Sequence, residues 1–182
     1  MTKRKLSGSA VFMYVSIFIT VLCAALCFAL FYGGITRAEA VLWVGIVAFM
    51  IFFHFGGRIF MGEVSKRFKI NQSHWWFREK PFEEKLYKLL RVKKWKGRAL
   101  TFDPQAFSLK DHSLSEIAAT MTKAETDHWI NELISIVSVF FALLWGQWWI
   151  FLLTAAAAMV FDAQFIVIQR YNRPRVLKLL NK

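Results

Sequence analysis

Acidic side chains are scarce: twelve Asp and Glu stand against twenty-four Lys and Arg, a formal net charge of +12 in 182 residues. Such an excess has to meet an anionic partner, either nucleic acid or an anionic membrane surface, and the position of the cations decides which. Nine Gly and three Pro exclude a collagen-like or Gly/Ser-linker chain. Two cysteines, Cys23 and Cys27, are too few for a disulfide scaffold. They stand one helical turn apart in an apolar run, which reads as packing. Also missing are a Gly-rich phosphate loop, a G-x-S-x-G elbow, zinc-like cysteine spacing and a His-x4-Asp signature; His74-x4-Glu79 is the nearest to the last. Apolar residues, in contrast, make up 57% of the chain, with a mean hydropathy of +0.39. That excludes disorder and points to lipid as a second solvent.

Charge-free runs carry the argument further. Residues 10–32 lack any charge, and as a helix they would extend about 34 Å, enough for a hydrocarbon core of about 30 Å. Lys3, Arg4 and Lys5 resemble the start of a signal peptide, but the apolar stretch is longer than such a segment and no small-x-small site follows it. This run is expected to stay as a first span. A second run covers 40–57. The third apolar block, 133–161, is too long for one span, and Gly146-Gln147 lies near its middle among Trp145, Trp148 and Trp149. Tryptophans at that density mark a membrane–water interface, so the block reads as two helices hinged at a tight turn. The expected fold is an all-α integral membrane protein, a single membrane domain over 1–182. Its spans fall at about 10–32, 40–60, 130–145 and 148–168, with a cytoplasmic amphipathic helical segment between spans two and three at about 61–129.

The cations orient those spans. Fifteen of the twenty-four Lys and Arg fall in 58–132, and none in the 145–149 turn. By the positive-inside rule both termini and the middle segment face the cytoplasm of a multi-pass protein of the cell membrane. The basic surplus then faces anionic lipid, and nucleic acid is not needed as a partner. Within the segment, Pro81 with Glu83 and Glu84 suits the first turn of a helix. Phe82, Leu86, Leu89 and Leu90 follow at amphipathic spacing. The cluster Lys93, Lys94, Trp95, Lys96 would attract either lipid headgroups or a bound phosphate group.

Ser113-x-x-Glu116 reads as a capping box opening a further helix. Along it Leu114, Ile117, Met121, Ala124 and His128 form one stripe, apolar until the histidine. Glu125 stands one turn before His128 and Glu132 one turn after, so either carboxylate could steady an imidazole acting as general base. A histidine packed into an apolar stripe is the alternative. Glu125-x-x-His128 also has the spacing of di-metal carboxylate bundles, but no second copy exists. Asp162 is the sole carboxylate of the last apolar block; it either faces a cavity or pairs with Arg58 or Arg170. The chain then exits through Gln169, Arg170, Tyr171, Asn172, Arg173, Pro174 and Arg175. Pro174 disfavours helix at Arg173 and is expected to bend the chain there, holding guanidiniums toward one anionic ligand.

Three elements in this order, Val92-x-x-Trp95-Lys96, Ala124-Glu125-x-x-His128-Trp129 and Gln169-Arg170-Tyr171-Asn172-Arg173-Pro174-Arg175, resemble the bacterial glycosyl-4,4'-diaponeurosporenoate acyltransferase family of staphyloxanthin-type carotenoid biosynthesis. Asp162-Ala163-Gln164 stands where that family tends to have Asn-x-Pro, which leaves room for a relative acting on another glycolipid. The resemblance implies a membrane enzyme moving a fatty acyl group onto a hydroxyl of a glycosylated lipid. It makes His128 and Glu125 the catalytic pair. Gln169, Arg170, Tyr171, Asn172, Arg173 and Arg175, with Lys94, Trp95, Lys96 and Asp162, would line the substrates. No bound cofactor is implied; an acyl thioester, carried on coenzyme A or on a carrier protein, would be the co-substrate. The partners are then membrane lipids and the lipid acceptor. A non-catalytic membrane subunit or lipid-binding scaffold is the alternative.

Overall fold

The computed structural model describes residues 6–180, and these are helical apart from turns and loops. Seven α-helices follow in order: α1 Gly8–Tyr32, α2 Glu39–Val64, α3 Glu83–Leu89, α4 Val92–Trp95, α5 Leu114–Ser138, α6 Ala142–Trp145 and α7 Trp148–Leu180. A single 3-10 turn joins α5 to α6, so 114–145 is one continuous rod. Four helical stretches are long and apolar enough to cross a membrane: 8–32, 39–67, 114–145 and 148–180. Their outward faces carry large apolar side chains such as Phe18, Leu26, Val160 and Leu143. In water these would be costly; in lipid they are the solvated surface.

The third and fourth spans are longer than the apolar runs. α5 begins at the Ser113 capping box, where the Ser113 hydroxyl accepts from the Glu116 amide and the Glu116 carboxylate accepts from the Ser113 amide. α7 continues through Pro174 to Leu180, so the bend expected at Arg173 is absent. The local preference is overridden by tertiary anchors: Arg170 and Arg173, in the turn just before the proline, are both fixed by carboxylates of other helices.

α1 packs on α2, α5 on α7, and α2 bridges the two pairs. The α1–α2 crossing is close at Gly45, where a Cβ would lie 3.0 Å from the Cys27 Cβ and from the Phe28 ring. One end of the bundle is aromatic: Phe28 stacks on Trp145 and Trp43 meets Trp149 edge-on, both with centroids 5.5 Å apart. The 33–38 turn and the Gly146 turn close this end, the latter using a φ of +79° that glycine adopts without strain. Beneath it Leu42, Ile46, Met50, Ile150 and Phe151 form the buried apolar cluster. The opposite end holds the start of α1, the ends of α2 and α7, and the 65–113 connection.

That connection is built of short pieces. α3 spans seven residues, and its buried side chains are Glu83 and Tyr87. Phe82, Leu89 and Leu90, expected to form its apolar face, are exposed. Arg91 then adopts the left-handed conformation (φ 50°) and turns the chain into α4. Two serines pin α1 to the loop after α4: Ser7 donates to the Phe102 carbonyl and Ser9 to that of Thr101, each at 2.5 Å.

Candidate functional site

Two polar assemblies occupy the α2–α5–α7 junction. The deeper one centres on Asp162, which is fully buried. Its Oδ1 accepts from His128 Nδ1 at 2.7 Å, from Arg58 Nε at 3.3 Å and, more weakly, from Asn131 Nδ2 at 3.5 Å. Arg58 also binds Oδ2 through a second guanidinium nitrogen and donates to the His54 carbonyl. Of the alternatives the sequence left open, Asp162 takes the pairing with Arg58, and it meets the histidine as well. His128 lies flat on Phe165, centroids 4.7 Å apart, with a fifth of its side chain exposed.

The carboxylate that meets His128 is thus Asp162, not Glu125. Helix geometry explains the difference. A residue one turn earlier on the same helix shares the face but has its own outward partner, and on α5 that partner is α7. Both Glu125 oxygens are taken by guanidiniums, Oε1 by Arg170 Nη1 at 2.7 Å and Oε2 by Arg173. A carboxylate at Nδ1 selects the tautomer that carries its proton there, and the His128 lone pair then falls on Nε2.

The second assembly lies one turn nearer the basic end. Arg170 binds Glu83 as well as Glu125, and donates to the Trp76 and Arg78 carbonyls at 3.0 and 3.2 Å. Arg173, itself 2% exposed, donates to the Phe77 carbonyl. Two carboxylates and three backbone oxygens thus hold two arginines and fasten 76–78 and α3 against α5 and α7. Tyr87 donates to Glu83 Oε2 at 2.9 Å; burial first, then this bond, push its phenol well above the ordinary value. Trp76 reaches Trp129, beside His128, with centroids 5.5 Å apart.

Arg170 and Arg173 therefore face carboxylates rather than open space. The cations left for a ligand are elsewhere. Arg175 covers the Tyr171 ring at 3.6 Å, and Lys96 sits at 4.7 Å while donating to Asn172 Oδ1 at 2.6 Å. Partial burial, then Arg175 and Lys93, lower the Lys96 pKa from its ordinary 10.5. A cleft of about 520 Å³ beside them is lined by Lys80, Arg175, Lys178, Glu79, Pro81 and Glu84. Lys94 is exposed, Trp95 donates to the Leu90 carbonyl, and Gln169 is buried. His128 lines neither this cleft nor its neighbour around Arg173 and Leu177.

Depth along the helices separates the assemblies. Measured from the tryptophan end at 1.5 Å per residue, Asp162, Asn131 and Arg58 lie about 21–22 Å along, His128 about 25 Å, and Glu125 and Arg170 about 30–33 Å. With the tryptophan end at one boundary of a hydrocarbon core of about 30 Å, the His128–Asp162 pair would fall just inside the other boundary and the Glu125–arginine cluster on it. Sequence reasoning picked out His128, Asp162 and Arg58 but missed Asn131 and the role of Glu83. Asn131 had a signal, since it shares the helix face of His128; Glu83 had none, because its partner is 87 residues away.

A family model described as glycosyl-4,4'-diaponeurosporenoate acyltransferase matches residues 73–182. No curated protein and no solved structure matches. The matched stretch takes in α3 to α7, and with them every residue of both polar assemblies except His54 and Arg58.

Proposed function

The chain belongs to that acyltransferase family, and on this premise we propose that it transfers a fatty acyl group to a hydroxyl of a glycosylated or other lipid acceptor at the cytoplasmic face of the cell membrane. One observation carries the mechanism: the 2.7 Å bond from His128 Nδ1 to Asp162, which leaves Nε2 as a base. The acceptor O–H gives its proton to Nε2 while its oxygen attacks the carbonyl carbon of an acyl thioester. The tetrahedral intermediate collapses with cleavage of the C–S bond, and the imidazolium returns the proton to the leaving thiolate. Asp162 holds the tautomer and stabilises the transient imidazolium, a His–Asp division of labour known from serine hydrolases. Arg58, bonded to both Asp162 oxygens, holds that carboxylate in orientation.

Glu125 acts at a distance in this reading. It clamps Arg170 and Arg173, which fasten the 76–78 segment beside the site. Arg175, Lys96, Lys94 and Lys178 supply the free positive charge that would meet the phosphates of a thioester carrier. Both termini and the basic 65–113 segment then lie in the cytoplasm, beside an anionic leaflet. The acyl chains would stay in lipid between the spans.

Replacing His128 with Ala or Gln should abolish transfer while leaving expression and membrane insertion intact. Full activity in both variants would remove the base. The scaffold reading is favoured by one observation, that neither surface cleft includes His128. It predicts that these two variants and the wild type are indistinguishable.

A further inference from the structure

Beyond the His128–Asp162 pair, toward the middle of the bundle, the polar surface continues without partners. His54 Nε2, Asn131 Oδ1 and Ser135 Oγ are buried, and none has a hydrogen-bond partner among the described residues. His54 is 7% exposed, Asn131 6% and Ser135 0%. Glu132 is buried between them in sequence, and the charges that act on it are those of Asp162 and Arg58. Buried polar groups are paired in folded proteins, and in a membrane interior no bulk water can compensate for a missing partner.

These groups share a place. Asn131 donates to Asp162, and Arg58, which also binds Asp162, donates to the His54 carbonyl one turn before it. Ser135 stands one turn beyond Asn131 on the same face of α5. At 1.5 Å per residue from the tryptophan end, Ser135 and His54 lie at matching depths of about 15–16 Å, one turn deeper than Asp162. Two layers follow: the dyad near the boundary with Asn131 level with Asp162, and one turn deeper the His54 ring nitrogen and the Ser135 hydroxyl, with the Glu132 carboxylate between the two depths. An acyl acceptor with a single hydroxyl uses the outer layer alone. The inner layer suits a headgroup with further hydroxyls, placed between the reacting oxygen and the lipid tail.

We propose that His54, Asn131, Glu132 and Ser135 form the acceptor subsite, binding the non-reacting hydroxyls of a sugar headgroup while its outermost hydroxyl meets His128. The inference rests on the acyl-transfer reading for the role of His128, but its own content is sugar recognition, and binding tests that separately. The probes are a radiolabelled alkyl β-glucoside below its micelle concentration and the alcohol of the same chain length, each titrated against the full chain in lipid nanodiscs, with empty discs subtracted. The wild type should bind the glucoside more tightly than the alcohol. Ser135→Ala and His54→Phe should each weaken glucoside binding about tenfold, one hydrogen bond's worth, and leave alcohol binding unchanged.

Ser138→Ala serves as the control for mere loss of a buried hydroxyl, because Ser138 already donates to the Ser135 carbonyl and should keep wild-type discrimination. His128→Ala should lose transfer yet still bind the glucoside more tightly than the alcohol. If the wild type does not distinguish the two probes, or if Ser135→Ala and His54→Phe keep the distinction, the groups hold internal water only and the subsite is wrong. If discrimination is present but no acyl transfer can be detected, the subsite stands and the catalytic reading falls.

Discussion

Asp162→Asn separates stability from chemistry, because Asp162 serves two partners at once. The substitution keeps the shape and one hydrogen-bond acceptor but removes the charge. Arg58, whose side chain is 9% exposed, is then left buried beside a neutral amide. Breaking one side of a buried ion pair costs about 3–5 kcal/mol. The same change allows the Asn amide to donate toward His128 Nδ1, which favours the tautomer carrying its proton on Nε2 and so removes the base; in serine proteases the equivalent exchange lowers turnover about 10⁴-fold. Adding Arg58→Met removes the stranded charge, and replacing both partners of a buried pair with groups of similar volume is close to neutral. Unfolding in mixed micelles should therefore show Asp162→Asn strongly destabilised and Asp162→Asn/Arg58→Met restored to within about 1–2 kcal/mol of wild type. Acyl transfer in nanodiscs should be absent from both. Recovery of activity together with stability in the double variant would refute the dyad, because Asp162 would then have been holding the fold and nothing more.

Glu125→Gln leaves Arg170 and Arg173 sharing one neutral amide; we expect a loss of about 3–5 kcal/mol and faster proteolysis within 73–80, read by limited digestion. Gly45→Leu forces a side chain into the 3.0 Å approach of Cys27 and Phe28, and should cost about 1–3 kcal/mol and weaken cross-linking between α1 and α2. Lys96 must be protonated to hold an anion, and its folded pKa is lowered by burial, Arg175 and Lys93. Thioester-donor affinity should thus fall as pH rises through that lowered value, earlier than for an ordinary lysine, and Lys96→Arg should move the fall to higher pH. An unchanged profile in Lys96→Arg would separate Lys96 from the donor.

How much of this could be read from the residues depended on distance along the chain. The four spans were legible because a lipid core demands long charge-free runs, and the Ser113–Glu116 cap because it is local. The tryptophan turn at 145–149 was legible from composition and one glycine. What could not be read was rotation. Glu125 and His128 are neighbours on α5, yet α7 presents Arg170 and Arg173 to one and Asp162 to the other. Only the packed pair of helices decides that. Pro174 misled for a related reason: its local preference is weaker than the two anchors in the turn before it. The short α3 misled because amphipathic spacing says which residues share a face, not that the apolar face is the one turned inward; Glu83 and Tyr87 are the buried residues. The polar run His128, Asn131, Ser135, Ser138 was within reach of the same periodicity that identified the apolar stripe, had the polar positions been counted as well.

Arg170 and Arg173 grip residues 76–78 through their carbonyl oxygens, and Arg173 also lies over the Phe77 ring at 5.2 Å. Every amino acid carries such an oxygen, so at 76 and 78 the clasp makes no demand on what the side chains are. The side chains at 76 and 78 can drift over generations, altering what this segment touches, while the fastening beneath them survives unchanged. Substrate preference could therefore diversify among descendants at this spot without endangering the scaffold.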